Sequence, residues 1–212
     1  MIQCNKAIRT MTSKKNVYIV GRDSPVGKMF FDRGYPIVFN QHEADIVVFI
    51  GGADINPALY NQKPNPAARV GFNMENDRRD LDAFKDTTTD QLLVGICRGG
   101  QFLNVMSGGS MYQHVTGHNA PHKVYDTLWD TELTVSSCHH QMMIPSRKAE
   151  VLAYAEDHGW DFFGETQKLP RPMIEPEVIW YEHTRALCFQ GHPEWTPKEC
   201  TDYFFNLVET FE

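Results

Sequence analysis

Short apolar runs alternate with amphipathic helical patterns through the first half of the chain. The predicted strands cover residues 17–20, 35–39 and 44–50, and a further apolar run leads from Leu92 into Cys97. Helical patterns cover residues 77–86 and 101–106. Ser24 and Pro25 mark another helix start, as N-cap and first helical residue. This alternation predicts a mostly parallel sheet with right-handed crossovers.

Shorter segments with strict apolar–polar alternation follow Tyr112. Residues 131–135 and 150–154 predict strands near the edge of the sheet, and residues 177–181 and 185–189 flank a hairpin-like connection. Residues 197–211 form an amphipathic helical pattern. We therefore predict an α/β fold in one domain over residues 1–212, with a mostly parallel sheet flanked by helices and a few antiparallel edge strands. Residues 1–16 are expected to be a frayed arm.

Composition narrows the class of protein. Of the 212 residues, 42% are hydrophobic, which is enough for a substantial core. The formal charge of −7 makes nucleic acid and anionic membranes poor partners. Five scattered cysteines without a Cys-x-x-Cys pair indicate reduced thiols, and no apolar run is long enough to span a bilayer. These features predict a soluble, cytoplasmic protein.

The sequence Gly95-Ile96-Cys97-Arg98-Gly99 places a thiol between a predicted strand and a predicted helix. That order is typical of a nucleophile elbow, in which a strained turn lifts the attacking atom above the end of a sheet. Glycines 95 and 99 are expected because side chains there would collide with neighbouring backbone. The positive end of the following helix favours thiolate at Cys97. Taken alone, the motif fits a buried core cysteine equally well.

A second strand end supplies the groups that a thiol nucleophile needs. His192-Pro193-Glu194 follows the apolar run 185–189, and its two polar side chains stand two residues apart in an extended segment. A cysteine nucleophile requires a base, and the base requires an orienting group. Cys97, His192 and Glu194 are therefore the predicted catalytic residues.

These two motifs resemble those of the class I glutamine amidotransferase family, and the chain is most similar to its gamma-glutamyl hydrolase branch. The resemblance spans residues 18 to 194. It implies the flavodoxin-like, three-layer fold of the family and cleavage of a gamma-glutamyl amide through a cysteine thioester. The additional matching segments are residues 51–60, 79–80, 108–113 and 137–141.

The resemblance also implies how the substrate is held. The backbone N–H groups of Arg98 and of the Gly51-Gly52 loop, assigned to Gly52, would form the oxyanion hole. Contacts to the glutamyl group would come from Gly51, Gln101, Ser137, His139 and His140. The mechanism needs no cofactor, and no metal site is predicted. The small-molecule substrate would be glutamine or a gamma-glutamyl conjugate.

Other histidines allow alternative interpretations. His114, His118 and His122 are four apart, as metal ligands on a helix would be, but Gly117 and Pro121 break a helix. We therefore expect a loop with solvated histidines. His139 and His140 are adjacent, so in an extended chain they point to opposite faces and do not form a joint metal site. Cys138 with His139 is a rival catalytic pair that lacks an elbow. Arg79 and Asp80 are most simply a surface arginine and a helix-start charge, and only the resemblance raises them above that interpretation.

Two other functions stay open at this stage. The chain could be the glutaminase subunit of a two-component amidotransferase, with a synthetase subunit binding in trans, or a non-catalytic binding module on the same fold. A homo-oligomer also stays open. Ser136 departs from the asparagine of the hydrolase branch, and residues 156–176 align with no family motif; they are expected to form a substrate wall or a partner surface.

Overall fold

The computed structural model describes residues 14–21, 25–156, 159–195 and 197–212. Four α-helices are present in this part of the chain: α1 (Pro25–Asp32), α2 (Met74–Lys85), α3 (Arg98–Met106) and α4 (Lys198–Phe211). The strands in the first half are β1 (Val17–Val20), β2 (Ile46–Phe49), β3 (Leu92–Ile96), β4 (Ser110–Tyr112) and β5 (His114–Val115). The later strands are β6 (His122–Asp126), β7 (Thr131–Val135), β8 (Met142–Ile144), β9 (Glu150–Ala155), β10 (Phe162–Phe163), β11 (Lys168–Leu169), β12 (Glu175–Tyr181) and β13 (Ala186–Phe189).

Over these described ranges, eight strands form one sheet in the order β1-β2-β3-β13-β12-β9-β6-β7. The four strands from β1 to β13 run parallel, and the remaining neighbours pair antiparallel. The register places Phe49 beside Gly95 and Ile96 beside Phe189, so β2, β3 and β13 end together. Ligands bind at this edge of open α/β sheets. The predicted fold class is confirmed, and its parallel half carries the candidate site.

Helices cover both faces of the sheet. Helices α1 and α4 pack on one face, where the ring of Phe30 meets those of Phe204 and Phe205 edge-on. On the other face Phe102 of α3 stacks on Phe49 of β2, with ring centroids 5.4 Å apart. Each buried phenylalanine contributes about 1.5–3 kcal/mol through apolar burial. The two layers together hold the parallel strands in place.

Some predicted boundaries differ from the observed ones. The expected strand at residues 35–39 is reduced to a single bridge between Ile37 and Val17, because Pro36 has no N–H to donate to a ladder. Helix α2 begins three residues before residue 77, since the Asn73 side chain caps it by accepting from the N–H groups of residues 75 and 76. Helix α1 begins at Pro25 as predicted, whereas Ser24 and residues 1–13 lie outside the described residues.

The unaligned segment 156–176 contains two short strands. Strands β10 and β11 pair with each other, and β10 also pairs with β5, which makes a small three-stranded sheet. Residues 157–158 of this segment lie outside the described residues. A separate observation concerns membranes: no helix in the described chain combines the length and apolarity needed to cross one.

Candidate active site

Cys97 lies at the turn between β3 and α3 in a strained backbone conformation. Its φ is +50° and its ψ is −111°, a region that residues other than glycine rarely adopt. Such strain persists only when the surrounding structure over-determines it. Here the Cys97 N–H donates to Phe189 O at 2.7 Å, and the Cys97 carbonyl accepts from Gln101 N–H at 3.0 Å. The predicted elbow is therefore present, with the thiol side chain nearly buried.

Three glycines allow β3 and α3 to approach closely enough to make this turn. A Cβ on Gly99 would lie 2.0 Å from Phe49 O, and one on Gly95 would lie 2.4 Å from Gly100 N. A Cβ on Gly100 would lie 2.9 Å from Phe189 O. Real Cβ atoms do not tolerate such distances from backbone, so the expected collisions at residues 95 and 99 are confirmed.

His192 and Glu194 follow the end of β13 and contact each other directly. His192 Nδ1 lies 2.8 Å from Glu194 Oε1, so Nε2 is the ring nitrogen that Glu194 does not engage. The His192 ring stacks on Trp195, with centroids 3.9 Å apart. Ser136 holds the backbone: its hydroxyl accepts from His192 N–H at 2.8 Å and donates to His192 O at 2.7 Å. The histidine is thus fixed on three sides.

The surroundings of His192 favour its charged form. Burial lowers its pKa, but hydrogen bonds to Cys97 and Glu194 and the negative charges of both groups outweigh burial. Together they raise the pKa of His192 to about 10. The imidazole is therefore protonated at neutral pH and can donate a proton to a leaving group.

The end of β2 closes the site. A Cβ on Gly51 would lie 3.1 Å from His192 Cε1 and 3.8 Å from Cys97 Cβ, so only a glycine fits at residue 51 without crowding these two side chains. A Cβ on Gly52 would lie 3.4 Å from Arg98 Cδ. The three strand ends singled out in the sequence therefore meet at one place. Residues 52 and 98, the two expected oxyanion donors, are neighbours there.

The Arg98 side chain has a role that the sequence reasoning missed. It is buried, donates to Asp77 Oδ1 at 2.6 Å and pairs with Asp80 on the same face of α2. Asp80 also pairs with Arg79 at 2.7 Å, so it is not a helix-start charge as expected. Burial raises the pKa of Asp77, and Arg98 opposes this shift. The sequence did contain a signal for this ion-pair cluster. Asp77 and Asp80 are three residues apart in a predicted helix, and Arg98 directly follows Cys97.

Gln101 and Ser137 have buried side chains and are not surface groups. The Gln101 amide donates to Gln141 O at 3.2 Å and to Gln190 Oε1 at 3.3 Å. This amide is therefore held inside the protein and does not lie on the surface of the helix. The Ser137 hydroxyl donates to His118 O at 2.9 Å. The Gln101 contact ties the loop at residues 136–141 to α3, and the Ser137 contact ties the same loop to His118.

His139 and His140 diverge, as backbone alternation predicts. His139 is buried and its Nδ1 contacts Gln141 O at 2.9 Å. His140 is half-exposed and its Nε2 contacts Asp54 Oδ1 at 2.9 Å; this hydrogen bond raises the pKa of His140. The rival pair of Cys138 and His139 is not supported, because Cys138 is exposed while His139 is buried.

The expectation of solvated histidines between residues 114 and 122 is wrong. His118 and His122 are buried; they contact Glu175 at 3.0 Å and Glu177 at 3.2 Å. No helix forms there, as predicted, but the fold buries the loop against β12. His114 is partly buried and its Nδ1 lies 3.1 Å from His140 Nδ1. Long-range packing, not local spacing, decides these environments.

Comparison with known proteins gives matches along most of the chain. The family model described as Peptidase C26 matches residues 40–128. Protein NtpR of Enterococcus hirae is 31% identical over 181 residues, which are 73% of this chain and 68% of NtpR. A candidate glutamine amidotransferase of Mycobacterium tuberculosis is 35% identical over 94 residues, 39% of this chain but 29% of that protein. The structure of a candidate GMP synthase component from Thermoplasma acidophilum superposes with a TM-score of 0.61 at 17% identity, covering 92% of this chain and 93% of that one.

Proposed function

The chain belongs to the class I glutamine amidotransferase-like family, and from this premise we propose that it hydrolyses a gamma-glutamyl amide bond through a thioester on Cys97. One observation carries the proposal: Cys97 sits on a strained elbow beside His192, which hydrogen-bonds Glu194 and whose pKa is raised by both Cys97 and Glu194. A purely structural cysteine needs neither the positive φ nor the paired base. As part of the same proposal the protein works in the cytoplasm, in keeping with free thiols at all four described cysteines.

The proposed reaction begins with the sulfur of Cys97. Its thiolate attacks the carbonyl carbon of the gamma-glutamyl amide and forms a tetrahedral oxyanion. Protonated His192 gives its proton from Nε2 to the leaving nitrogen as the C–N bond breaks, which leaves a thioester. Neutral His192 then takes a proton from water, and the resulting hydroxide releases glutamate and the thiolate. Glu194 keeps Nδ1 protonated and stabilises the imidazolium in both steps.

Backbone donors are proposed to stabilise the oxyanion. Gly52 lies three residues after the end of β2, and Arg98 is the first residue of α3, directly after Cys97. A preorganised donor of this kind supplies about 3–4 kcal/mol of transition-state stabilisation. The Arg98 side chain, held by Asp77 and Asp80, fixes the peptide that carries one of these donors.

A contact between two motifs supports the gamma-glutamyl hydrolase branch. Asp54 belongs to the segment 51–60 and His140 to the segment 137–141; both segments carry the resemblance to that branch. In the structure His140 Nε2 lies 2.9 Å from Asp54 Oδ1. Asp54 stands two residues after Gly52 in the sequence. The contact gives the site a polar wall that also includes His114. We propose that this wall faces the amine portion of the conjugate.

The second candidate function is that of a glutaminase subunit that passes ammonia to a synthetase in trans. The observation in its favour is the fold shared with a candidate GMP synthase component over 92% of this chain. In that case glutamine would be the substrate, and the isolated chain would be almost inactive until its partner binds. A non-catalytic module is the third candidate, and the assembled Cys97–His192–Glu194 site argues against it.

The proposal is tested by measuring glutamate and ammonia or amine release from glutamine and from a panel of gamma-glutamyl amines and peptides. The native protein is compared with Cys97→Ala, and a thiol-directed glutamine analogue measures labelling of residue 97. We expect turnover of a conjugate well above that of glutamine, lost in Cys97→Ala.

Two other outcomes would redirect the assignment. Weak glutamine hydrolysis with no conjugate turnover, while the analogue still labels Cys97, would favour the subunit function. No turnover of any substrate together with an unreactive Cys97 would overturn both enzymatic functions.

A further inference from the structure

A second cluster of titratable side chains lies behind the loop at residues 136–141, and the proposed reaction does not use it. Among the described residues, His118, His139 and Glu177 each bring one potential ligand atom to within 4.8 Å of the others. All three side chains are at most 2% exposed. They come from three separate segments: the turn before β6, the loop 136–141 and strand β12.

His139 is held in the form that binds a metal ion. Its Nδ1 lies 2.9 Å from Gln141 O, a carbonyl that can only accept, so Nδ1 carries the proton and Nε2 carries a lone pair. That Nε2 atom is buried and has no hydrogen-bond partner. A backbone carbonyl that fixes the tautomer of an imidazole in this way is common beside metal-bound histidines.

Glu177 offers a matching oxygen. Its Oε1 lies 3.2 Å from His122 Nε2 and 3.9 Å from His139 Nε2, whereas its Oε2 is buried without a hydrogen-bond partner. Buried polar atoms are normally satisfied, so two unsatisfied atoms within one cluster require an explanation. Both atoms carry lone pairs, so neither can satisfy the other. A cation between them satisfies both.

We propose that His118, His139 and Glu177 bind one first-row divalent transition metal ion, of which zinc is the representative. Two nitrogens and one carboxylate oxygen are a familiar zinc set with room for a fourth ligand. Ligands about 2.1 Å from a tetrahedral ion stand about 3.4 Å apart, so an adjustment of roughly 1 Å closes the site. Imidazole ligands disfavour magnesium and calcium.

The cluster has polar neighbours around it. Glu175 contacts His118 Nε2 at 3.0 Å, so the nitrogen of His118 that would bind the ion is Nδ1, which lies 3.2 Å from Thr116 O and has to release that carbonyl. His122 contacts Glu177 as described above. A network of shared protons is the competing interpretation, but it leaves the lone pair on His139 Nε2 without a donor.

The ion would not contact the catalytic residues but would stabilise the loop 136–141, which supports the backbone of His192. His139 N–H and the Ser137 hydroxyl both donate to His118 O, at 3.0 Å and 2.9 Å. The preceding residue, Ser136, holds the backbone of His192 at both its N–H and its carbonyl. Joining His118 and His139 to Glu177 on β12 therefore stabilises the loop on which His192 rests. This inference does not depend on the proposed reaction.

The test measures metal binding directly, in a protein that lacks the thiols of residues 97 and 138; Cys188 and Cys200 are buried. The double variant Cys97→Ala/Cys138→Ser is stripped with a chelator and titrated with Zn²⁺ by calorimetry and with Co²⁺ by visible absorption. We expect one ion per chain, cobalt d–d bands without a thiolate charge-transfer band, and hyperfine-shifted histidine ring resonances. An absence of stoichiometric binding overturns the proposal.

Variants locate the ion within the chain. In the same background, His139→Gln and Glu177→Gln are expected to weaken zinc binding by at least about tenfold, because loss of a mere outer partner already has this effect. His183→Gln, an exposed histidine outside the cluster, is the matched control and should bind as the parent does. Undiminished binding in both cluster variants overturns the proposal. If circular dichroism shows that they do not fold, the hyperfine-shifted resonances decide: signals from two histidine rings near Glu177 support the site, and their absence overturns it.

Discussion

Two histidines of this protein are equally hidden from solvent and yet have opposite protonation behaviour. His192 is 8% exposed and His139 is 6% exposed. The pKa of His192 is raised to about 10, whereas that of His139 is lowered to about 3. Both stand near a glutamate, Glu194 in one case and Glu177 in the other.

The distance to the negative partners accounts for the difference. Burial lowers the pKa of both rings, but His192 hydrogen-bonds Glu194 at 2.8 Å, and the neighbouring Cys97 raises its pKa as well. His139 stands 3.9 Å from Glu177, and the neighbouring His118 lowers its pKa further. A charged imidazole suits proton transfer, and a neutral one suits coordination. Burial alone therefore does not indicate what a histidine does; its nearest partners do.

Removing the sulfur of Cys97 should reduce the difference in pKa between His192 and His139. We expect Cys97→Ala to lower gamma-glutamyl hydrolysis by at least about 10³-fold, since the nucleophile is lost. The same change removes a hydrogen bond and a negative charge from His192, so its pKa should fall. Steady-state kinetics and an NMR titration of the histidine rings measure the two effects. An unchanged His192 titration would show that Cys97 does not contact the ring.

Neutralising each of the two glutamates in turn should show that only Glu194 is needed for catalysis. We expect Glu194→Gln to lower kcat by about 10²–10⁴-fold, because the amide no longer stabilises the imidazolium. Glu177→Gln touches no reacting atom, so its kcat should fall by less than about tenfold. Kinetics on protein whose folding is confirmed by circular dichroism checks both values. Equal losses in the two variants would contradict the separation.

The low pKa of His139 should make the metal-free protein sensitive to acid. An unfolded histidine takes up a proton below about pH 6.5, whereas buried His139 stays neutral down to about pH 3. Between these values the unfolded state binds more protons, so stability falls as the pH falls, by at most about 1.4 kcal/mol per pH unit. Urea unfolding at pH 7 and pH 5 should show this loss in the native sequence and a smaller loss in His139→Gln. If the free energy of unfolding falls equally in the native protein and in His139→Gln, groups other than His139 cause the acid sensitivity.

The smallest expected effect concerns the ring that stacks on His192. Trp195 lies face to face with the imidazole at 3.9 Å, and an aromatic face stabilises a cation by about 0.5–1 kcal/mol at a partly exposed position. Trp195→Leu should therefore lower the pKa of His192 by less than about one unit. NMR titration measures this shift, with Trp160→Leu as an exposed control. A shift larger than that caused by Cys97→Ala would refute the assigned order of influences.

The part of the site that local patterns encode could be predicted. The elbow around Cys97 and the His192-Pro193-Glu194 segment are short, and each follows a buried strand whose neighbours are set by the parallel order of the sheet. Strands β1, β3 and β13 were located because runs of apolar residues end abruptly at glycine or a polar turn. Local sequence is sufficient wherever a few consecutive residues determine the geometry.

The buried cluster could not be predicted in this way. His118, His139 and Glu177 come from three segments separated by about 20 to 40 residues, and their contact depends on how the antiparallel half folds back. Strands such as β5, β10 and β11 have two residues each, too few to show a period. Because Gly117 and Pro121 exclude a helix across His114, His118 and His122, the segment was predicted to be a solvated loop. It is a loop, but the fold buries His118 and His122. The Arg98 anchor was missed because its carboxylates lie on a separate helix.

The glycines around Cys97 constrain how this protein can evolve. Because Gly95, Gly99 and Gly100 are required by the packing of β3 and α3 against their neighbours, they serve the scaffold as well as the thiol. A descendant that lost Cys97 and took on another task would still have to keep them. Glycine retention at the elbow therefore cannot distinguish working enzymes from inactive descendants. That distinction has to come from residues 97, 192 and 194.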